Sequence, residues 1–319
     1  MNKTGVMLLN LGGPDTLEAV RPFLYNLFSD RDIIPLGPAM LQRPIALMLS
    51  LLRSAKTRKA YRLIGGGSPI SRITESQAAA LEKALRETGD IPVFVGMRYW
   101  HPFVEDSMVT ARSNGIKRLI GLSLYPQFSL ATTGSTKKVF EEAAGVHGIK
   151  TDFIRSFYDH PLYIEALKEL IIDRSRGINS GDLHLLFSAH SLPVSFIEQG
   201  DPYQDEIKGT VDAVMKSLKK EGVDPPYHLS FQSRSGPVRW LGPSTEDKIR
   251  ELSEKGVKNV LAVPVSFVSD HIETLYEIDI LYKKKAETLG IGLERTESLN
   301  TNPIFIQALK DLVLQCLDK

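Results

Sequence analysis

The stretch Gly115-Ile116-Lys117-Arg118-Leu119-Ile120-Gly121-Leu122 has a counterpart later in the chain, Gly256-Val257-Lys258-Asn259-Val260-Leu261-Ala262-Val263. In both, a glycine and a charged residue lead into a short apolar, β-branched run, the pattern of a strand buried on both faces. A second pair keeps the same order. Leu8-Leu9-Asn10-Leu11-Gly12-Gly13-Pro14 resembles Leu186-Phe187-Ser188-Ala189-His190-Ser191-Leu192-Pro193 with one residue of slippage. Two matching pairs in one order read as a weak internal repeat, two Rossmann-like halves joined near His160–Tyr163.

The rest of the chain fits that reading. Strands are expected at Gly5–Leu11, Val93–Arg98, Leu119–Leu124 and Asp152–Ile154, then at Leu183–Ala189, His228–Phe231, Val260–Val265 and Gly292–Arg295. Helical patterns such as Glu75–Thr88 and Glu246–Lys255 lie between them, so the fold class is α/β, with parallel sheets flanked by helices. The expected domains are 1–160 and 161–319, with a cleft between them and a final helix, Ile304–Leu317, packing back on the first. The first half carries a surplus rich in Leu, Met, Ile and Pro at about Pro35–Arg53. It reads either as an ordinary buried helix or as an apolar lip that covers a flat ligand or touches a membrane.

Composition narrows the function. With 39 Lys and Arg against 38 Asp and Glu in 319 residues, no global field draws the chain to nucleic acid. The single cysteine, Cys316, excludes an intrachain disulfide, a CxxC pair and a cysteine-ligated iron–sulfur cluster, and fits a reducing compartment. The N-terminal apolar run is too short for a secretory signal, and no stretch is long enough to span a membrane.

In open parallel sheets ligands bind beyond the carboxyl ends of the strands. That rim collects Asn10 through Pro14, Arg98-Tyr99, Tyr125-Pro126-Gln127, His190-Ser191, Gln232-Ser233-Arg234 and Ser269 through Glu273. If helical, Asp270, Glu273 and Glu277 share one face at i, i+3 and i+7, a stripe that repels itself unless it is solvated or holds a cation. Such a stripe is often only a wet surface, but this one follows a buried strand directly. Hard oxygen ligands with an occasional imidazole suit a divalent metal held loosely enough to pass on. His190 alone reads more readily as structural than catalytic. Ser191 lacks the Gly-x-Ser-x-Gly elbow of a hydrolase. Leu11-Gly12-Gly13-Pro14 and Ile64-Gly65-Gly66-Gly67-Ser68-Pro69 match neither a dinucleotide fingerprint nor a P-loop.

Taken together, Asn10–Pro14, Ile64–Ile70, Tyr125–Ser129, Thr132–Ser135, Phe187–Pro193, Gly200–Tyr203, Trp240–Pro243 and Ser269–Asp279 resemble the ferrochelatases, in that family's order and over nearly the whole chain. The resemblance implies two Rossmann-type domains with a porphyrin cleft between them. It assigns His190 and Glu273 as catalytic residues, facing each other across the macrocycle and meeting the metal. It makes Asp270, His271 and Glu277 a metal or proton path, and Arg53, Tyr61, Ser68, Arg98, Tyr99 and Trp240 substrate contacts. Where some members continue the acidic stripe, this chain has Leu281.

The implied reaction is insertion of Fe2+, as substrate, into protoporphyrin IX, with no tightly bound cofactor and no iron–sulfur cluster. The expected partners are porphyrin and ferrous iron, with no nucleic acid, in the cytoplasm and resting on the inner membrane through the lip. The lip would serve a dimer as readily as a bilayer. The Asn-Leu-Gly-Gly-Pro turn and the Arg98-Tyr99 pair favour protoporphyrin over coproporphyrin III. Other readings are a chelatase for another tetrapyrrole metal, a porphyrin or haem carrier, and a nucleotide-binding regulator that the missing phosphate loops disfavour.

Overall fold

A computed structural model describes residues 3–178 and 182–318. Among the described residues, eight strands form two four-stranded parallel sheets: β1 (Thr4–Asn10), β2 (Val93–Met97), β3 (Arg118–Ser123) and β4 (Lys150–Ile154) in one, β5 (Leu183–His190), β6 (Tyr227–Gln232), β7 (Asn259–Pro264) and β8 (Gly292–Arg295) in the other. The first has the order β2-β1-β3-β4 and the second β6-β5-β7-β8. The sequence repeat is thus a structural one: β3 and β7 take the same place, as do β1 and β5. The strands end within two residues of their expected bounds, and in the central strands β1, β3, β5 and β7 the apolar runs are buried on both faces.

The helices used below are α1 (Val20–Ser29), α2 (Gln42–Leu63), α3 (Ile70–Leu85), α4 (Val104–Ser113), α5 (Ser135–Val146), α6 (Pro161–Ser175), α7 (Val194–Glu198), α8 (Tyr203–Lys220), α9 (Thr245–Glu254), α10 (Lys283–Thr288) and α11 (Pro303–Leu317). A wider π-helix occupies Glu273–Tyr282. In the first sheet, Met7, Leu9 and Leu119 pack with Val104, Met108 and Phe140 from α4 and α5. In the second, Leu186, Val260 and Leu293 pack with Ile249 and Leu252 of α9 and with Ile278 and Tyr282 of the π-helix.

The chain divides into two compact units. One runs to Ser156 and includes the segment from Ile306 onward; the other is Phe157–Phe305. Within the first unit, Arg118 donates from Nη2 to the Cys316 carbonyl at 3.1 Å, and Lys310 pairs with Glu87 at 2.9 Å.

The glycine-rich turns of the first unit serve close approach. Ser68 N–H donates to the Pro14 carbonyl at 2.6 Å, joining the two turns. A Cβ on Gly67 would lie 2.1 Å from the Asp15 carbonyl oxygen, a clash no rotamer relieves. These glycines let two loops touch rather than cradling a phosphate.

In α2 the usual polarity is inverted. Its buried positions are Gln42, Ala46, Ser50, Ser54, Ala60 and Tyr61, while Leu47, Met48, Leu51 and Leu52 are exposed, with Met40 and Leu41 just before them. Small residues at four-residue spacing let α2 lie close against α1. Ser50 and Ser54 remain satisfied by donating to the Leu47 and Leu51 carbonyls at 2.7 and 2.9 Å. Gln42 pins the preceding loop, donating to the Phe28 and Ile34 carbonyls and accepting from Leu36 N–H. The surplus segment is therefore not an ordinary buried helix.

Candidate active site

In the second unit, His190 is the last residue of β5. Its N–H donates to Ser266 Oγ at 2.8 Å, and its carbonyl accepts from the Tyr203 hydroxyl at 2.9 Å. The backbone is held from two sides while the imidazole is left 35% exposed. Ser191 beside it donates its hydroxyl to the Leu241 carbonyl at 3.0 Å, a structural role.

Glu273, the first residue of the π-helix, brings Oε1 to 3.6 Å from His190 Nε2 and Oε2 to 3.9 Å from His271 Nε2, which corrects the expectation that His190 and Glu273 face each other across a macrocycle, because no ring fits between side chains this close. Oε2 is buried and has no hydrogen-bond partner among the described residues. The Nδ1–H of His271 donates to the Ser269 carbonyl at 3.0 Å, which leaves Nε2 as the acceptor turned toward Glu273. Phe267 stands edge-on to both imidazoles, with ring centres at 6.3 Å from His190 and 4.5 Å from His271. A carboxylate between two imidazoles, with a buried oxygen no donor reaches, leaves an acceptor unsatisfied.

One turn on, Glu277 accepts at Oε2 from Ser233 Oγ at 2.7 Å and from Gln232 Nε2 at 3.2 Å. Gln232, at the end of β6, also donates to the Glu273 carbonyl at 2.9 Å and accepts from Ser188 Oγ at 2.6 Å. Its amide thus joins the sheet to the π-helix. Ser233 has a left-handed φ of 66°, a conformation that is costly for serine and that brings its hydroxyl to Glu277.

Burial controls the protonation of these groups. Desolvation lowers the His190 pKa against the opposing pull of Glu277, and lowers that of His271 against Glu273. Both imidazoles are held neutral at neutral pH. Desolvation raises Glu273, and it raises Glu277 to about 7 with help from the Glu273 charge. Two like carboxylates one turn apart resist ionising together until a cation joins them.

The expected three-acid stripe is corrected to two. Asp270 precedes the helix and is turned to other partners: its Oδ1 accepts from Arg295, Ser298 and Thr274, and its Oδ2 from Asn300. Burial alone would raise its pKa, but Arg295 and these donors hold it below the ordinary value. Leu281 continues the Glu273–Glu277 line as an exposed apolar residue. Among the described residues, no group of three or more His, Cys, Asp or Glu side chains is arranged to hold a metal ion.

Trp240 is half-buried beside α7, paired through its backbone with Pro193, and its buried Nε1 has no hydrogen-bond partner among the described residues. In the first unit, Arg98 and Tyr99 follow β2 and converge on Asp30, which the sequence reading did not single out. Asp30 Oδ2 accepts from Arg98 Nη2 at 2.6 Å and from the Tyr99 hydroxyl at 2.7 Å. Desolvation raises the Tyr99 pKa, so its phenol remains a donor. Arg53 is exposed on α2 with its guanidinium 5.5 Å from the Phe28 ring centre, whereas Tyr61 lies on the buried side of the same helix. Ser68 Oγ accepts from Ile70 N–H at 3.4 Å at the start of α3. Arg53, Tyr61 and Ser68 thus fall on one helix and the turn after it.

A family model described as Ferrochelatase matches residues 3–317. A ferrochelatase of Geotalea uraniireducens is 51% identical, covering 98% of this chain and 97% of its own. One from Gloeothece citriformis is 49% identical over 99% of this chain and 83% of its own. Among solved structures, SirB from Bacillus subtilis with Fe3+ aligns with a TM-score of 0.57 at 11% identity, covering 98% of this chain and 95% of that one. CbiX, described as the terminal enzyme of sirohaem biosynthesis in denitrifying bacteria, gives 0.55 at 12%, with 98% of both chains covered. The solved structures share the fold; the match along the full sequence goes further, and by it the chain belongs to the ferrochelatase family.

Proposed function

We propose that this protein inserts Fe2+ into protoporphyrin IX, with His190 as proton acceptor and Glu273 as the carboxylate that receives the metal. The observation that carries the assignment of roles is the Glu273 carboxylate, buried between two neutral imidazoles with one oxygen unpartnered. Insertion releases two protons from pyrrole N–H groups and strips the iron of water. A neutral imidazole accepts a proton at neutral pH. The half-exposed His190 takes the pyrrole protons one at a time and passes each to solvent; as the dication approaches, the raised carboxyls of Glu273 and Glu277 likewise release their protons to solvent and replace part of its lost hydration. Glu277, His271 and Leu281 continue from that carboxylate, the first two as groups that pass a proton or cation. Asp270 supports this path through its hydrogen bonds.

On this reading Arg53, Tyr61 and Ser68 meet porphyrin carboxylates, Arg98 and Tyr99 line the approach of the metal, and Trp240 lies against the ring. No tightly bound cofactor is required. The exposed apolar face of α2 suits a dicarboxylate porphyrin with vinyl groups delivered from a bilayer, and supports peripheral contact with the membrane. No helix among the described residues is long and apolar enough to cross one.

The test is anaerobic iron insertion into protoporphyrin IX and coproporphyrin III, followed by metalloporphyrin absorbance, for wild type and His190→Ala. Protoporphyrin turnover should fall by about 100-fold or more in the variant, the usual loss for a general base. Preference for coproporphyrin would overturn the substrate; tight porphyrin binding without turnover would indicate a carrier.

A further inference from the structure

We propose that Arg295 is a positioning residue for metal insertion: it straps the turn before the π-helix to the helix's own later half and so fixes how Glu273 and Glu277 are presented. The inference rests on reading those two carboxylates as the cation-side groups.

Arg295 ends β8, the edge strand of the second sheet. Its Nε and Nη2 donate to Asp279 Oδ1 and Oδ2, both at 2.8 Å, a two-point fork. Its Nη1 donates to Asp270 Oδ1 at 3.1 Å and to the Thr296 carbonyl at 3.0 Å. The side chain is only 10% exposed, so its charge is tolerated because both acids are present. Asp270 lies before the π-helix and Asp279 within it, and between them stand Glu273 and Glu277. Thr274 completes the strap, accepting from His271 N–H and donating to Asp270 Oδ1 in the first turn.

A π-helix is a rare winding, concentrated at functional sites, and it relaxes toward tighter forms unless its surroundings hold it. Ile278 and Tyr282 anchor one side in the core. The guanidinium anchors the ends of the segment against a strand. Lysine cannot reproduce this, because its ammonium is a point charge without a planar fork. A cavity of about 320 Å3, lined by Arg174, Ile278, Asp279, Lys283, Glu294 and Arg295 among others, gives small molecules access to the Arg295–Asp279 pair.

That access provides the test. Arg295→Ala, Arg295→Lys and Asp279→Asn are compared with wild type for kcat, porphyrin KM and amide hydrogen exchange over 271–282, with and without millimolar methylguanidinium. Arg295→Ala should lose about tenfold or more in kcat with porphyrin KM within about twofold, and its π-helix amides should exchange faster. Methylguanidinium should restore part of kcat in Arg295→Ala and none in Arg295→Lys. If Arg295→Ala does not fold, the near-isosteric Asp279→Asn carries the comparison, with the same loss expected. Unchanged exchange and kcat, or lower thermal stability without a kcat loss, would overturn the strap. If wild type itself shows no insertion, the functional reading fails while the exchange data still decide the strap.

Discussion

The environment of Glu277 opposes its charge. Burial raises its carboxyl from the usual 4.5 to about 7, and Glu273 adds to the rise. Between those values the folded protein holds a proton that the unfolded chain has released. Folding stability from this group is therefore complete below about 4.5 and is lost as pH climbs through about 7. Glu277→Gln should accordingly unfold at higher denaturant than wild type at pH 8, by on the order of 2 kcal/mol, and at the same concentration at pH 4. Equal gains at both pH values would show that the side chain's shape, not its charge, is responsible. On the proposed reaction the same proton would also govern activity: kcat/KM for Fe2+ should rise through about pH 7 in wild type and be flatter in the Gln variant. His190 and Glu273 stand at the carboxyl rim of their sheet in the sequence, but their proposed roles came from the family resemblance, since His190 alone reads as structural. Asp30 was not legible, because its partners Arg98 and Tyr99 lie 68 and 69 residues away and nothing local marks it. Asp270 misled for the opposite reason, since its spacing to Glu273 and Glu277 fits a helix that had not yet begun.

At the scale of elements, the strands were the legible part. A strand covered on both faces is written as an uninterrupted apolar run, and Val260–Val263 or Leu119–Leu122 can be little else. The π-helix was not legible. Four-residue spacings, such as Glu273 to Glu277 and Thr274 to Ile278, are shared by both helix types, and the strap that accompanies the wider winding comes from β8. Helix α2 shows a different limit: its apolar residues mark a face correctly but do not say whether that face is inside. Here Ala46, Ser50 and Ser54 are inside. Ser50→Leu, which adds apolar bulk, should therefore destabilise the protein by about 1–3 kcal/mol through overpacking against α1. Leu51→Ser, which removes it, should change stability by no more than about 0.5 kcal/mol. Urea denaturation midpoints of the two variants decide between this orientation and its reverse.

Over the whole molecule, the repeat supplies the scaffold twice, with the same strand order in each unit. The candidate proton and metal groups His190, His271, Glu273 and Glu277 belong to the second copy, while the first carries the apolar helix and the Asp30–Arg98–Tyr99 cluster. The copies share an architecture and differ in the residues at their strand ends, which explains why the repeat predicts the fold well and the chemistry poorly. Function resides in those ends and not in the sheets.

The segment from Ile306 onward belongs to the unit that begins the chain. During synthesis the ribosome therefore finishes every residue of the second unit before it delivers the last piece of the first. The N-terminal unit, which ordinarily folds earliest, waits longest for completion. A chain ended after Phe305 should retain a protease-resistant second unit and lose resistance in the first, where Arg118 and Glu87 no longer have Cys316 and Lys310 as partners. Limited proteolysis read by mass spectrometry would show it, and equal resistance in both units would mean that the early-made part matures without its late-made helix.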